Sequence, residues 1–328
     1  MQAPSALTRF AVRSAASALS GRGRGSALLV LIFHRVLAEP DPVLPDEPDV
    51  GRFTAIVDLL ASCFTPLPLR EAVTRLREST LPPRAVCVTF DDGYANNCEI
   101  ARPILVARGV PATVFVAPGF LDGGRMFNDT VIETVRRAPE DFDLRALDLG
   151  RHALTDAAAR RRTIEVLLEQ LKYLEIDERL RRIAQVADAA GVRLPDDLMM
   201  TRAQVRALHQ SGIEIGAHTV DHPILASVAD EVAESQIRAS REQLEAMIGA
   251  PVKSFAYPNG KPHRDYLARH VGMARAAGFD LALATAWGAA TAESDPFQIP
   301  RVAAWDSDAL RYGLRLARAY RDRQPVLA

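Results

Sequence analysis

Cysteine is scarce in this chain: Cys63, Cys87 and Cys98 are the whole complement among 328 residues. Three irregularly spaced thiols support neither a disulfide framework nor a cysteine-built zinc site. Cys87, inside the apolar run AVCVTF, is expected to pack as a small buried hydrophobe. A long hydrophobic run is missing too. The strongest, Ala27–Phe33, is too short to span a bilayer and leads into no small-residue cleavage site, so it reads as a first core strand rather than an export signal. The formal net charge of -1 leaves no basic footprint for nucleic acid. No repeat of fixed period is present. With 48% apolar residues the chain can bury a sizeable core, which excludes the disordered and fibrous classes.

Acid is absent from Met1–Arg35, which carries Arg9, Arg13, Arg22, Arg24 and Arg35. Together with Leu7, Phe10 and Ala11, this makes residues 1–26 a basic N-terminal arm with an amphipathic pattern, suited to peripheral contact with an anionic membrane surface. The matching expectation is a cytoplasmic protein, peripheral to the inner face of the membrane. The oligomeric state leaves no mark on the sequence.

From residue 27 to 328 the pattern is that of one β/α domain. The segment Ala38–Val50, with four prolines and five acids, is a loop. Amphipathic and short apolar stretches then alternate: helices at Arg52–Ser62 and Leu69–Ser79, a strand at Ala85–Phe90, a helix at Asn96–Arg108 and a strand at Ala112–Val116. Continuous apolar strands separated by helices indicate a parallel sheet covered on both faces. The alternation stops over about 126–200, where charged helical stretches at Asp156–Leu174 and Asp177–Ala190 and no good strand candidate indicate a helical insertion. It resumes with helices at Arg202–Gln210, Val228–Ile248, Asp265–Ala277 and Ser307–Arg321, and strands at Ile213–Ala217, Lys253–Tyr257, Asp280–Ala284 and Gln298–Val302.

Four strand ends carry polar groups, the positions where β/α barrels keep their chemistry: His34, Asp91-Asp92, His218 with His222, and Pro258-Asn259-Gly260. His218 and His222 have metal-ligand spacing if the loop turns helically, since i and i+4 side chains then share a face. One packed and one solvated histidine would account for the same spacing. Adding a carboxylate gives a His₂Asp set with open positions, as catalytic zinc sites have. Adjacent carboxylates in a partly dry pocket both stay ionised only beside positive charge, so one would bind a cation and the other act as base. A turn beginning at Asp also accounts for DDG alone.

Thr89-Phe90-Asp91-Asp92-Gly93-Tyr94 combined with His218-Thr219-x-x-His222-Pro223 resembles the polysaccharide deacetylases, carbohydrate esterase family 4, of the nodulation-factor and chitin deacetylase type. The resemblance covers about 27–302, with the arm outside it. It implies a distorted (β/α) barrel, often seven-stranded. It also implies removal of acetyl groups from an N-acetylated amino sugar in a polysaccharide, glycolipid or glycan precursor, with a divalent metal, zinc by preference, as cofactor. Carried over by motif, Asp91 is the general base, Asp92, His218 and His222 are the metal ligands, and the Tyr94 N–H holds the oxyanion.

Two departures stand out. Ala256-Tyr257-Pro258-Asn259-Gly260 occupies the place of the family's Arg-x-Pro-Tyr-Gly, so Tyr257, Pro258 and Asn259 are candidate substrate contacts and Arg301, in Gln298-Ile-Pro-Arg-Val, is the candidate to orient the base. No histidine follows His270, which leaves His34, at the end of the first strand, as the candidate either to protonate the leaving amine or to bind the substrate. The competing readings are a catalytically impaired glycan-binding relative and an amidohydrolase acting on a non-sugar acyl amide.

Overall fold

The computed structural model describes residues 4–303, 306–323 and 327–328. Strands β1 (Leu29–Phe33), β2 (Thr65–Pro66), β3 (Ala85–Phe90) and β4 (Ala112–Val116) precede a small antiparallel hairpin of β5 (Asp141–Asp143) and β6 (Arg151–Ala153). Strands β7 (Glu214–Ala217), β8 (Ser254–Ala256) and β9 (Leu281–Leu283) follow. The helices are α1 (Ala6–Leu19), α2 (Val50–Cys63), α3 (Leu69–Arg77), α4 (Arg102–Ala107), α5 (Phe127–Arg137), α6 (Ala157–Leu171), α7 (Ile176–Ala190), α8 (Arg202–Gln210), α9 (Asp230–Ile248), α10 (Ala268–Ala276) and α11 (Ala309–Ala319).

The main sheet has seven strands, all parallel, in the order β1-β3-β4-β7-β8-β9, with β2 beside the start of β3. It curls until Ile299 bridges Leu283 on one side and Val302 bridges Leu31 on the other. The chain is therefore a distorted (β/α) barrel. A full strand was expected at Gln298–Val302. Pro300 lies between the two bridging residues and brings no N–H, so the closure is two lone bridges rather than a ladder.

Alternation along the strands sorts the core. Leu29, Leu31, Val86, Val88 and Phe90 pack under the outer helices, whereas Leu28, Val30, Ala85 and Cys87 join Phe115, Ala256 and Ile299 in a second apolar cluster with α3. Cys87 is thus a buried packing residue, as its surroundings in sequence indicate. Local signals set the helix ends: Asp49 accepts from the Arg52 N–H to start α2, Thr201 and Gln204 form a reciprocal capping box at α8, and Gly249 ends α9 at φ 68°.

Three further elements differ from expectation. The helix expected over Asn96–Arg108 is split into a π-helical turn at Asn97–Ala101 and α4, because Pro103 has no N–H for a continuous α-helical ladder. The insertion contains the β5–β6 hairpin as well as helices; each strand has three residues and only Phe142 is buried at its centre, too short a pattern to register as a strand. Residues 6–19, expected to be an arm, form a helix whose Val12 and Ala16 are fully buried against the domain.

Candidate metal centre and active-site cleft

Strand β3 places alternate side chains Cys87, Thr89 and Asp91 on one face, and Thr89 Oγ1 donates to the Leu31 carbonyl there. Simple alternation would send Asp92 the opposite way. Instead Asp92 adopts φ 76° and Gly93 φ 94°, a left-handed reversal that brings both carboxylates to the same cleft. Two non-glycine residues follow the same course after β7: Thr219 has φ 59° and His222 φ 51°. The loop therefore does not turn helically, as i, i+4 spacing had suggested; two left-handed residues fold it back, and the imidazole centroids end 4.7 Å apart. Such conformations are costly and persist where the surroundings enforce them.

His218 Nδ1 lies 2.8 Å from the Ala256 carbonyl, which fixes its N–H there and turns Nε2 toward the acids. From Asp92 Oδ1, His218 Nε2 and His222 Nε2 are each 3.5 Å away. Among the described residues, Asp92, His218 and His222 form a buried cluster whose ligand atoms all lie within 4.8 Å of one another. Donors around a tetrahedral zinc with bonds of about 2.0–2.1 Å stand roughly 3.3 Å apart. The trio therefore fits a small divalent cation: the spacing is long for mutual hydrogen bonds and close to that of shared ligation, and the donor set is the one such ions take.

Asp91 is held differently. Arg301 Nη1 and Nη2 donate to Asp91 Oδ1 and Oδ2 at 2.7 and 2.8 Å, and Arg301 Nε donates to the Ala284 carbonyl at 2.9 Å. The guanidinium is fully buried and forms a two-pronged charge-assisted pair. Burial alone would push the Asp91 carboxyl up; Arg301 and then His218 overcome this and hold it below the usual carboxylate value. Asp92 is likewise pushed up by burial yet held far below that value by the two histidines. His222 is driven down to about 3 by burial, with His218 adding to the effect, so it is a neutral imidazole with a free lone pair. His218 moves upward, since the two aspartates outweigh its burial.

The cleft, about 810 Å³, is lined by His34, Asp91, Asp92, His218, His222, Asn259 and Arg301. His34 stands exposed on its wall, its carbonyl fixed by Asn97 Nδ2 at 2.9 Å. Of Tyr257, Pro258 and Asn259, only Asn259 lines the cleft, at φ 56° with an unpartnered Nδ2. Tyr257 is turned outward by strand alternation: its ring stacks on Tyr266 at 4.0 Å and its hydroxyl donates to Phe297 O, which corrects the expectation of a substrate contact. The Tyr94 ring is also buried away from the cleft and donates to Asp129 Oδ1. Its backbone lies opposite Met199, and the bridging bonds use the Gly93 carbonyl and the Ala95 N–H on either side.

Glu47, Lys172, Thr285 and Trp287 also line the cleft and were missed in sequence. Thr285 and Trp287 just follow β9, so the strand-end rule would have found them. Glu47 lies in the proline-rich acidic loop, where it accepts the Arg35 N–H at 3.2 Å. Nothing local marks Lys172.

The parallel barrel thus brings a carboxylate and two imidazoles together at its strand ends, beside an arginine-clamped second carboxylate. Residues 78–282 match the polysaccharide deacetylase family model, and the chain belongs to that family. The Bacillus subtilis (strain 168) protein YxkH, whose name assigns it to the polysaccharide deacetylases, is 20% identical over 84% of this chain and 70% of its own length. Among solved structures, IcaB from Ammonifex degensii covers 91% of this chain and 100% of its own at 20% identity and TM-score 0.57. The Streptococcus pyogenes deacetylase PplD, in complex with acetate, covers 84% and 91% at 18% identity and TM-score 0.55. Both support the fold.

Proposed function

We propose that this protein is a divalent-cation-dependent hydrolase that removes the acetyl group from an N-acetylated amino sugar in a polysaccharide, glycolipid or glycan precursor. The observation that carries the reading is the division of labour between adjacent acids: Asp92 faces two imidazole nitrogens at 3.5 Å, while Asp91 is clamped by Arg301 and left with spare lone pairs. Family membership supports the deacetylase chemistry. Asp92, His218 and His222 would hold the cation, zinc by donor type. When bound, it would polarise the acyl carbonyl and lower the pKa of a water molecule.

Asp91 accepts the proton of the attacking water; Arg301 keeps it ionised into acidic pH and fixes its orientation, and each oxygen retains a second lone pair. The Tyr94 N–H is the backbone donor to the developing oxyanion. His34, on the cleft wall, supplies a proton to the departing amine, and Asn259 Nδ2 offers a donor to a sugar hydroxyl. The test is acetate release from acetylated glucosamine oligomers by metal-loaded wild type, with metal analysis of each variant. Asp91→Asn is expected to retain metal and lose roughly 10²–10⁴ in kcat, the scale of a general base; His218→Ala is expected to lose metal. Full activity in Asp91→Asn overturns the assignment.

A further inference from the structure

We propose that α1 and α11 together form a docking surface for an anionic lipid bilayer, placed on the side of the barrel where the cleft opens. Neither helix contains an acid: their sequences are ALTRFAVRSAASAL and ALRYGLRLARA. Both expose large apolar side chains among arginines, with Leu7 77%, Phe10 72%, Leu310 37% and Leu314 40% exposed. Val232 on α9, by contrast, is exposed on a helix that carries both signs of charge.

The two helices pack as a pair. Gly313 meets Val12 so closely that a Cβ there would lie 2.6 Å from Val12 Cγ2. Arg323, just beyond α11, donates to the Leu19 carbonyl at the end of α1 and to the Gly25 carbonyl. Val12 opposite Gly313 and Leu19 opposite Arg323 make the helices parallel, so Leu7 and Phe10 stand level with the first turns of α11. That end is the cleft end: Val302 pairs with β1, Ala303 lines the cleft, and α11 starts shortly after. The acids that flank α11 are engaged, Asp306 with Arg315, Asp308 as the helix cap and Asp322 with the Trp287 indole.

Arginines beside exposed Phe and Leu are the composition of an interfacial helix face, with cations for lipid phosphates and apolar side chains for the headgroup boundary. The surface stands independently of the reaction. Its consequence, that a lipid-linked glycan is presented at the cleft mouth, rests on the deacetylase reading.

The test is flotation of the full chain with vesicles of phosphatidylcholine alone and of phosphatidylcholine mixed with phosphatidylglycerol. Wild type is expected to bind the mixed vesicles only, and less as salt rises. Phe10→Ser with Leu314→Ser, and separately Arg13→Gln with Arg311→Gln, are expected to weaken binding roughly tenfold or more, as each arginine near such a surface is worth about fivefold. Thermal unfolding and acetate release from a soluble oligomer should be unchanged in both. No vesicle binding, equal binding by the variants, or a wild-type dimer that the serine variants abolish would overturn the proposal, the last by assigning the face to a second copy of the chain. Loss of acetate release in the wild type would instead sink the deacetylase reading and leave this one intact.

Discussion

The cleft has two halves built on different terms. On the barrel side, Asp91, Asp92, His218 and Arg301 are each at most 4% exposed, and three of them are oriented by another group: Asp91 by Arg301, Arg301 by the Ala284 carbonyl, His218 by the Ala256 carbonyl. On the other side Glu47 comes from the 38–50 loop and Phe127, Asn128, Leu168 and Lys172 from the insertion. The insertion has a small apolar core, including Val131, Phe142, Leu167 and Val186, and pairs charges such as Arg151 and Asp141 on its exposed surface. The difference shows where precision is needed. The groups to which the deacetylase proposal gives the chemistry sit on strand ends tied into the sheet, while the opposite wall rests on loop and inserted elements outside it.

If that contrast is right, the barrel half should respond most violently to substitution. Arg301→Met leaves a buried carboxylate unpaired, which costs on the order of 3–5 kcal/mol. Chemical denaturation reads the loss. Because Arg301 holds the Asp91 pKa down, its removal lets Asp91 take a proton at higher pH, so the acid limb of kcat/KM moves upward in pH. Arg301→Lys keeps the charge but not the two-pronged geometry, and should fall between wild type and Arg301→Met. Wild-type stability in Arg301→Met would show that the clamp is dispensable and erase the distinction between the two walls.

At the junction the effect should shrink. Asp129 opens the insertion on the first turn of α5 but is fully buried against the barrel, where Tyr94 donates to it and Arg35 lies 3.6 Å away. Burial pushes its carboxyl up to about 7, with Arg35 opposing and Asp92 reinforcing the rise. The folded pKa thus exceeds the unfolded value of about 3.9, so between these values the folded state keeps a proton that the unfolded chain has lost. This group's contribution is greatest below pH of about 4 and declines as pH rises toward about 7. Asp129→Asn should flatten that slope in unfolding measurements across the window; an unchanged slope would remove Asp129 from the account.

How much of this was legible in sequence follows the same boundary. β3 and β4 have the limits expected, Ala85–Phe90 and Ala112–Val116, because continuous β-branched runs buried on both faces leave no ambiguity. The Asp92, His218 and His222 cluster was readable from strand-end position and donor type. The way it assembles was not, since left-handed φ values at Asp92, Thr219 and His222 are imposed by the surrounding fold and have no glycine to announce them. Tyr257 could have been assigned outward from alternation alone, as Phe255 and Tyr257 share the outer cluster while Ala256 faces in. Lys172 was beyond reach. Its place in the cleft depends on how α6 and α7 fold back over the barrel, a long-range arrangement that no local spacing encodes.

Lys172 therefore carries the mildest test, on the half of the cleft that the contrast assigns to recognition. Its ammonium sits at the end of α6, half-buried, and burial pulls its pKa below the ordinary lysine value. A cation at that position can hold a hydroxyl or an anionic group of the glycan without approaching the acyl carbon. Lys172→Met keeps the stem and removes the charge. It should raise KM by roughly fivefold, the worth of about 1 kcal/mol of hydrogen bonding, with kcat nearly unchanged. Steady-state kinetics on an acetylated oligomer separate the two constants. A fall in kcat at constant KM would place Lys172 among the reacting groups, and the line between a chemical wall and a recognition wall would have to be redrawn through the insertion.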